Sequence, residues 1–539
     1  MKLLLERMPN RIFIAISGIL LGLSIVFAEI GIISYVALLP FAFALYKRSE
    51  DGEYNFKRSY IDGLIFYMCF DLVALHWFFY FYPLDFLGFT KLQALGVVLF
   101  AWVGLSLLQC VFSAFAFVFI ARFSKAEMCK KNPILLAPFA AAMFTVNEWS
   151  QTFTWAGVPW SRISISQAEM PIMMQSASLF GSYFLTFIVV LVNFLIAYAL
   201  LHLEKRKLAT ICALAVFFGN VLVGTVLYFV PTVDEGRSIK VAAIQGNLES
   251  QSNIGKPYGE IFDIYEAQTI EAVKRGAELV IYPEGTFPMD VNSYIKKTDG
   301  SYSSIKSFLS DLSVEQNITL VVGTCIDDKE DDCDYNSISV FYPNGKSNIN
   351  AYAKRRPVPF GEYVPMREAI EFAFPVLAQL NYLASDITPG GKSTVFDITS
   401  NNETIRVGAL ICFDSIYDEL GIDSSRVGAE MLIIPSNDSW FYDSRALDMH
   451  HAQNILRAVE QGRYTVSCGN TGITSIVSDK GNVICDIPIY TEGYVFGTVY
   501  ASNNRTLYSY IGNAFVYLCL IAVVRPLACD EFSKRKTQK

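Results

Sequence analysis

Apolar residues run almost unbroken from Ile12 to about Val230, give way to a mixed polar sequence as far as about Arg505, and return in one last stretch. A membrane span needs roughly 20 mostly apolar residues. By that measure the pattern predicts seven helices, at about 11–28, 30–46, 60–82, 93–121, 133–149, 178–202 and 208–230, and an eighth near 507–525. The first run does not read as a cleaved signal peptide, because Phe27, Ala28 and Glu29 lead into another apolar segment instead of a polar mature domain. The first two spans read as a short hairpin.

From Ser238 the periodicity changes. Short β-branched runs, IKVAAIQ, ELVIYPE, ITLVVGT, SISVFYP, RVGALICF and EMLIIPSN, are separated by helical stretches through Ala267–Arg275 and near Ser303–Glu315. Turn signals stand at Pro343–Gly345 and Asp479–Gly481. Strands alternating with helices, together with hairpins, predict an α/β or layered α+β domain. The chain therefore divides into a membrane bundle over 1–231, a folded polar domain over 232–505, and a last span with a basic tail over 506–539. No internal repeat or low-complexity tract interrupts this.

Charge orients the arrangement. Short cytoplasmic connections retain Lys and Arg; with the N-terminus inside, 19 basic residues fall on the inner side and only Lys91 and Arg162 in the outer short loops. The polar domain is thus expected outside. The formal net charge of −8 resolves into +7 for the membrane part and −15 for the outer domain. That acidity excludes a nucleic-acid binder, which needs a basic surface against phosphates. Five of the eleven cysteines (Cys325, Cys333, Cys412, Cys468, Cys485) fall in the outer domain, where Cys325 and Cys333 flank an acidic turn and are expected to pair across a hairpin. With four histidines and no CxxC, no metal site is expected.

Three positions at the ends of strand-like runs carry candidate chemistry. Glu284 closes ELVIYPEG, where partial burial would raise a carboxylate toward working pH as a general base; taken alone, the surface-turn reading is the favoured one. Lys354 lies in AYAKRRPVPFGEYVP, where a fixed ammonium could stabilise an oxyanion, although basic runs are commonly solvated. Cys412 ends an apolar run beside Asp414. A sulfur nucleophile needs a base and a cationic neighbour, which Glu284 and Lys354 would supply; taken alone, Cys412 reads by default as an inert core thiol.

Taken in order, PEG at 283–285, KRRPVPFGEYVP at 354–365, ICFD at 411–414 and PSNDSWF at 435–441 resemble the carbon-nitrogen hydrolase (nitrilase) superfamily with its Glu, Lys and Cys triad. Behind a multi-span bundle and before one last span, the arrangement resembles that of the bacterial apolipoprotein N-acyltransferase family. IQGN at 244–247, WAGVPW at 155–160, the run His450, Gln453, Arg457, Glu460, and GNTG at 469–472 match further. The resemblance implies an exported nitrilase-like αββα sandwich on a bundle of about eight spans, in the bacterial inner membrane. It implies Cys412 as nucleophile, Glu284 as base and Lys354 as oxyanion-stabilising cation, with Glu362 positioning the lysine and the Phe413 N–H as a second oxyanion donor. Asp414 stands where the family often has Glu, and no Trp follows the IQGN strand.

The resemblance further implies acyl transfer from a phospholipid to the α-amine of a diacylglyceryl-cysteine on an apolipoprotein, by a monomer without cofactor. Trp155, Trp160, Trp440 and Phe441 are candidates for contact with substrate or membrane, as is a lid or membrane-dipping segment over 366–386. Asp71, His76 and Glu148, within or near spans, could be functional, but helix-end placement or pairing inside the bundle is the favoured reading of each. Other readings are an anchored amidase acting on a small exported amide, against which eight spans argue, and a transporter or receptor, which would carry no triad and more broken spans.

Overall fold

The computed structural model describes residues 10–50, 55–84, 89–233, 236–248, 258–328, 333–373, 386–400 and 403–537. Its contacts divide the chain into a helical unit, built from the residues up to Val230 and again from Ile511, and an α/β unit running from Pro231 to Tyr510.

The helical unit contains α1 (Asn10–Val26), α2 (Leu39–Glu50), α3 (Phe56–Ala74), α4 (Lys91–Ser124), α5 (Leu136–Ser150), α6 (Ser182–Leu201) and α7 (Arg206–Phe229), and the C-terminal helix Ala514–Thr537. Among the described residues, four segments are long and apolar enough to cross a membrane: Ala28–Arg48, Lys91–Ser124, Ser182–Leu201 and Arg206–Phe229. The others fall short for identifiable reasons. The 17 residues of α1 and the 15 of α5, at 1.5 Å per residue, are shorter than a hydrocarbon core of roughly 30 Å. Helix α3 carries Lys57, Arg58, Asp62 and Asp71, and the C-terminal helix turns charged after Arg525. That last helix also starts later than the apolar pattern predicts, because Leu507–Ile511 forms a separate short helix.

Outward apolar residues mark this unit as membrane-embedded. On α7, Leu208, Ile211, Leu214, Phe218, Leu222, Val226 and Phe229 are all exposed, a helical stripe that water would penalise and lipid would not. Several polar groups turn inward and find partners, as a hydrocarbon surrounding favours; Asp71, expected to be paired, is buried with its Oδ2 making no hydrogen bond among the described residues. Asn193 accepts the Leu38 N–H at 2.9 Å and donates to the Ser34 carbonyl at 2.8 Å. Glu148 accepts from the Ile163 N–H (2.8 Å) and Thr186 Oγ1 (2.7 Å), while His76 Nδ1 lies 2.9 Å from the Val73 carbonyl. Asp62 pairs with Arg48 and Arg11.

In the α/β unit, β1 (Ser238–Gln245), β2 (Leu279–Ile281), β3 (Phe287–Asp290), β6 (Thr319–Asp328), β7 (Cys333–Phe341), β8 (Ser347–Ala353) and β15 (Gly493–Tyr500) form one sheet in the order β15-β1-β2-β6-β7-β8, with β3 beside β6. A second sheet runs β14 (Val483–Ile487), β13 (Thr474–Val477), β12 (Thr465–Gly469), β11 (Met431–Ser436), β10 (Glu403–Ala409), β9 (Val395–Ser400). Strands β4 (Tyr294–Lys296) and β5 (Tyr302–Ser304) make a small hairpin. Strands β1, β2 and β6 are mutually parallel, as are β10, β11 and β12.

The pleat explains the layering. Successive residues of a strand face opposite sides, and in β1 Ile239, Val241 and Ala243 pack against Val407, Ile433 and Val466 of the other sheet. The alternate residues Ala242 and Ile244 pack on helices α8 (Tyr258–Lys274) and α9 (Ile305–Glu315) through Phe262, Tyr265, Phe308 and Leu309. Strands buried on both faces need continuous apolar sequence, and the runs found in the sequence have it. Helices α10 (Asp418–Arg426) and α11 (Ala446–Gln461) belong to the second sheet's side, completing an αββα sandwich.

The expected Cys325–Cys333 bridge is not formed. Ladder register sets Cys325 opposite Asn336 and Cys333 opposite Asp328. The two cysteines are three rows apart, about 10 Å along the strand and beyond disulfide reach, and Cys325 is a free thiol.

Candidate active site

Every residue of the expected triad leaves the carboxyl end of a strand: Glu284 after β2, Lys354 directly after β8, and Cys412 three residues after β10. Parallel strands on facing sheets bring those ends to one edge of the sandwich, where chain that is no longer hydrogen-bonded in a sheet can present side chains.

Lys354 is 1% exposed and Glu284 6%, so this is a buried ion pair. Lys354 Nζ donates to Glu284 Oε1 at 2.8 Å and lies 2.9 Å from Glu362 Oε2. Asn336 Nδ2, from β7, donates to the same two carboxylates, at 2.7 Å to Glu284 and 2.8 Å to Glu362. Glu284 Oε2 accepts the Asn437 N–H at 2.9 Å, and Glu362 Oε2 the Val358 N–H at 2.7 Å. Burial alone would depress the Lys354 pKa, but Glu284 and then Glu362 outweigh it and hold the ammonium well above its ordinary value. Lys354 is therefore a fixed cation.

Space for Glu284 depends on a glycine. A Cβ on Gly323 of β6 would stand 2.2 Å from the Pro283 carbonyl oxygen and 2.7 Å from Glu284 Cα, an overlap that no real side chain tolerates. The bare backbone of β6 lets the turn bearing Glu284 lie flat against it.

Cys412 sits at φ +49°, a left-handed conformation uncommon for a non-glycine residue and costing of order 1–3 kcal/mol where context enforces it. It opens the short 3-10 turn Cys412–Ile416. Removal from water, then the charge of Glu284, push its thiol well above the ordinary value; Lys354 pulls the other way, and Asp438 and Glu362 add to the rise. Cys412 thus lies in the field of both Glu284 and Lys354 and rests as a thiol.

Asp414 is fully buried and joins two loops. It accepts from Tyr352 OH at 2.7 Å, from the backbone N–H of Arg355 at 3.1 Å and of Arg356 at 2.7 Å, and from the Ile411 N–H at 3.2 Å. It therefore ties the lysine loop to the Cys412 turn. Phe413 is buried, edge-on to Tyr417 at 5.6 Å.

The aromatic contact candidates separate. Trp440 is 38% exposed and Phe441 partly so. Trp155 is partly exposed, whereas Trp160 is only 3% exposed and packs on Trp77 at 5.5 Å; it is an interior residue of the helical unit, because the apolar surroundings that recommend a Trp for a lipid surface also suit it to a core. Of the expected lid, Phe372 is 91% exposed at the end of helix Arg367–Ala373, and 374–385 lie outside the described residues.

Two family models match: "Apolipoprotein N-acyltransferase N-terminal domain" over residues 17–195 and "Carbon-nitrogen hydrolase" over 240–507. The chain belongs to the apolipoprotein N-acyltransferase family. Relatives bearing the family's name span it from end to end. That of Geobacter metallireducens is 27% identical over 97% of this chain and 96% of its own, and that of Thermotoga maritima 27% identical over 94% and 91%. Among solved structures, Saccharomyces cerevisiae Nit3, described as a member of branch 10 of the nitrilase superfamily, has a TM-score of 0.35 at 22% identity, covering 51% of this chain and 93% of its own. Family membership makes the chain an N-acyltransferase.

Sequence reasoning passed over Asn336, which holds both glutamates, and Tyr352, which holds Asp414. Neither stands in a recognisable motif; their only signal is polarity within otherwise strand-like runs. Asp438 and His450 fall inside matching segments, but nothing in their spacing says that they meet, as they do at 3.0 Å.

Proposed function

We propose that this chain transfers an acyl chain from a membrane phospholipid to the α-amine of the N-terminal diacylglyceryl-cysteine of apolipoproteins, through a thioester on Cys412. Glu284 takes the Cys412 proton as the sulfur attacks the ester carbonyl. The C–O bond then breaks, Glu284 returns the proton to the leaving alcohol, and a lysophospholipid departs. The acceptor amine next attacks the thioester, Glu284 removes its proton and passes it to the departing Cys412 sulfur, and the amide product leaves. Lys354, with the Phe413 N–H, stabilises both tetrahedral oxyanions, while Glu362 positions the lysine.

The single observation that carries this reading is the buried Glu284–Lys354–Glu362 cluster, whose charges act on Cys412, in a chain of an acyltransferase family. Among the described residues Glu284 Oε2 accepts one hydrogen bond, from Asn437, which suits a base. The membrane part has a purpose under the same reading. Pulling acyl chains into water costs about 0.8 kcal/mol per CH₂, and a site held at the bilayer avoids that. About eight spans, both termini cytoplasmic, the α/β unit on the outer side of the inner membrane and a monomeric chain complete the proposal; the 19 inner basic residues support its orientation.

Incubating the purified chain with phospholipid and reading intact mass tests it. An acyl adduct on the wild type, absent from Cys412→Ala, is expected. No adduct on the wild type would sink the reading, and an adduct kept by Cys412→Ala would move the nucleophile elsewhere.

A further inference from the structure

Behind Cys412 lies a buried acid–base pair that the triad does not use. Asp438, in the loop after β11, has Oδ1 3.9 Å from Cys412 Sγ. His450, 1% exposed on α11, has Nδ1 3.0 Å from that same oxygen and 3.2 Å from Oδ2. Its other nitrogen, Nε2, lies 3.2 Å from the Cys412 carbonyl oxygen and 3.0 Å from Ser415 Oγ.

Two acceptors face this ring, a carboxylate at Nδ1 and a carbonyl at Nε2. A carboxylate and a carbonyl can only accept. A neutral imidazole has one N–H: given to Asp438, it leaves Nε2 to accept from the Ser415 hydroxyl at 3.0 Å while still facing the Cys412 carbonyl at 3.2 Å, and given to the carbonyl, it leaves a lone pair on the carboxylate. Only the imidazolium donates at both ends, and Ser415 Oγ can share the second donor. The groups facing His450 from neighbouring elements agree. Asp438 and, farther off, Glu284 are negative, while His451 on its own helix is depressed to about 4 by burial and by His450 itself, so it is neutral near pH 7. Burial opposes the charge on His450, but Asp438 outweighs it and the ring is raised above its ordinary value.

We infer that His450 is a positioning residue for the nucleophile: as an imidazolium between the Asp438 carboxylate and the Cys412 carbonyl, it clamps Cys412 in its left-handed backbone and cancels the negative charge that Asp438 sets beside the sulfur. Without the imidazolium, a carboxylate 3.9 Å from the sulfur disfavours a developing thiolate, as like charges do at that range. The pair therefore orients the thiol while the imidazolium offsets part of the rise that Asp438 imposes on it. The inference rests on Cys412 being the reactive thiol of the proposed function.

The test is alkylation of Cys412 by iodoacetamide at pH 7.5 in the full-length, detergent-solubilised protein, followed by mass spectrometry of the Cys412 peptide. H450Q is expected to slow alkylation about tenfold, as a rise of one pKa unit would. D438N/H450Q, which removes both charges, is expected to return to within about threefold of wild type, a coupling that a merely structural role would not produce. D438N alone, in which the ring loses the partner that keeps its proton, is also expected within about threefold. Equal rates for H450Q and wild type, or additive losses in the double variant, would overturn the inference. Should H450Q not fold, D438N decides: a tenfold acceleration would mean that Asp438 acts on the sulfur uncancelled and that His450 is neutral. A Cys412 that shows these shifts yet takes no acyl chain would instead reject the proposed function and leave the clamp standing.

Discussion

Lys354 Nζ lies 2.8 Å from Glu284 Oε1, with both side chains withdrawn from water and a second carboxylate, Glu362, against the same ammonium. The two carboxylates hold the ammonium well above its ordinary value, so Lys354 keeps its proton, and the proposed mechanism gives the base's part to Glu284. Glu284→Gln and Lys354→Ala are each expected to lower acyl-adduct formation at least about 100-fold, the scale of losing a general base or an oxyanion donor. Intact-mass kinetics on folded protein would check this, and activity within tenfold of wild type in either variant would contradict it.

Gly323 offers a test that removes no functional group. Gly323→Ala would force the Glu284 turn away from β6, since its Cβ would meet the Pro283 carbonyl at 2.2 Å. The expected outcome is loss of adduct formation by about 10-fold or more with the triad intact, because misplacement of about 1 Å costs on the order of 100-fold in rate. An unchanged rate would show that the turn can move without consequence.

Asp414 is expected to matter through stability as well as rate. Asp414→Ala leaves Tyr352 OH and the N–H groups of Arg355 and Arg356 without their acceptor, at about 2–3 kcal/mol for buried donors left unmade. Asp414→Asn, which keeps one oxygen in place, should be milder. Denaturation of the detergent-solubilised protein would rank them, and equal stability of Asp414→Ala and wild type would refute the tie between the two loops.

His451 predicts an acid limb of stability. Burial depresses its pKa from the ordinary 6.5 to about 4, so the unfolded chain binds a proton there before the folded one does. Its contribution is complete above about pH 6.5 and is lost as pH falls toward 4. His451→Gln, which can still bond to Ser475 Oγ as the imidazole does at 2.7 Å, is expected to flatten the decline in melting temperature between those pH values. A limb unchanged by the substitution would assign it to other groups.

The strand-ending positions of Glu284 and Cys412 were legible because a buried strand is a continuous apolar run, and where it stops the chain must emerge; Lys354 follows the half-polar strand Ser347–Ala353 and was legible from its basic, proline-rich motif. The two regimes of the chain were legible for the same reason, since lipid and a two-sided sheet impose different lengths of apolar sequence. Span lengths were less legible: α5 ends after 15 residues and the C-terminal helix begins seven residues late, because local packing decides where a helix starts within an apolar stretch. The Cys325–Cys333 expectation failed on register, which pairs residues across the hairpin one row at a time and left those two cysteines three rows apart.

By itself, then, the sequence determined what each segment must be: helix for lipid, strand for a buried sheet, and three chemically suited residues at strand ends. Only the tertiary structure decided which side chains share a proton or a charge. Asn336 between two glutamates, Asp438 beside the Cys412 sulfur and His450 behind it are separated by tens of residues along the chain. Hydrogen bonding and burial act over a few ångströms of space, and only the packing of two sheets face to face sets those distances.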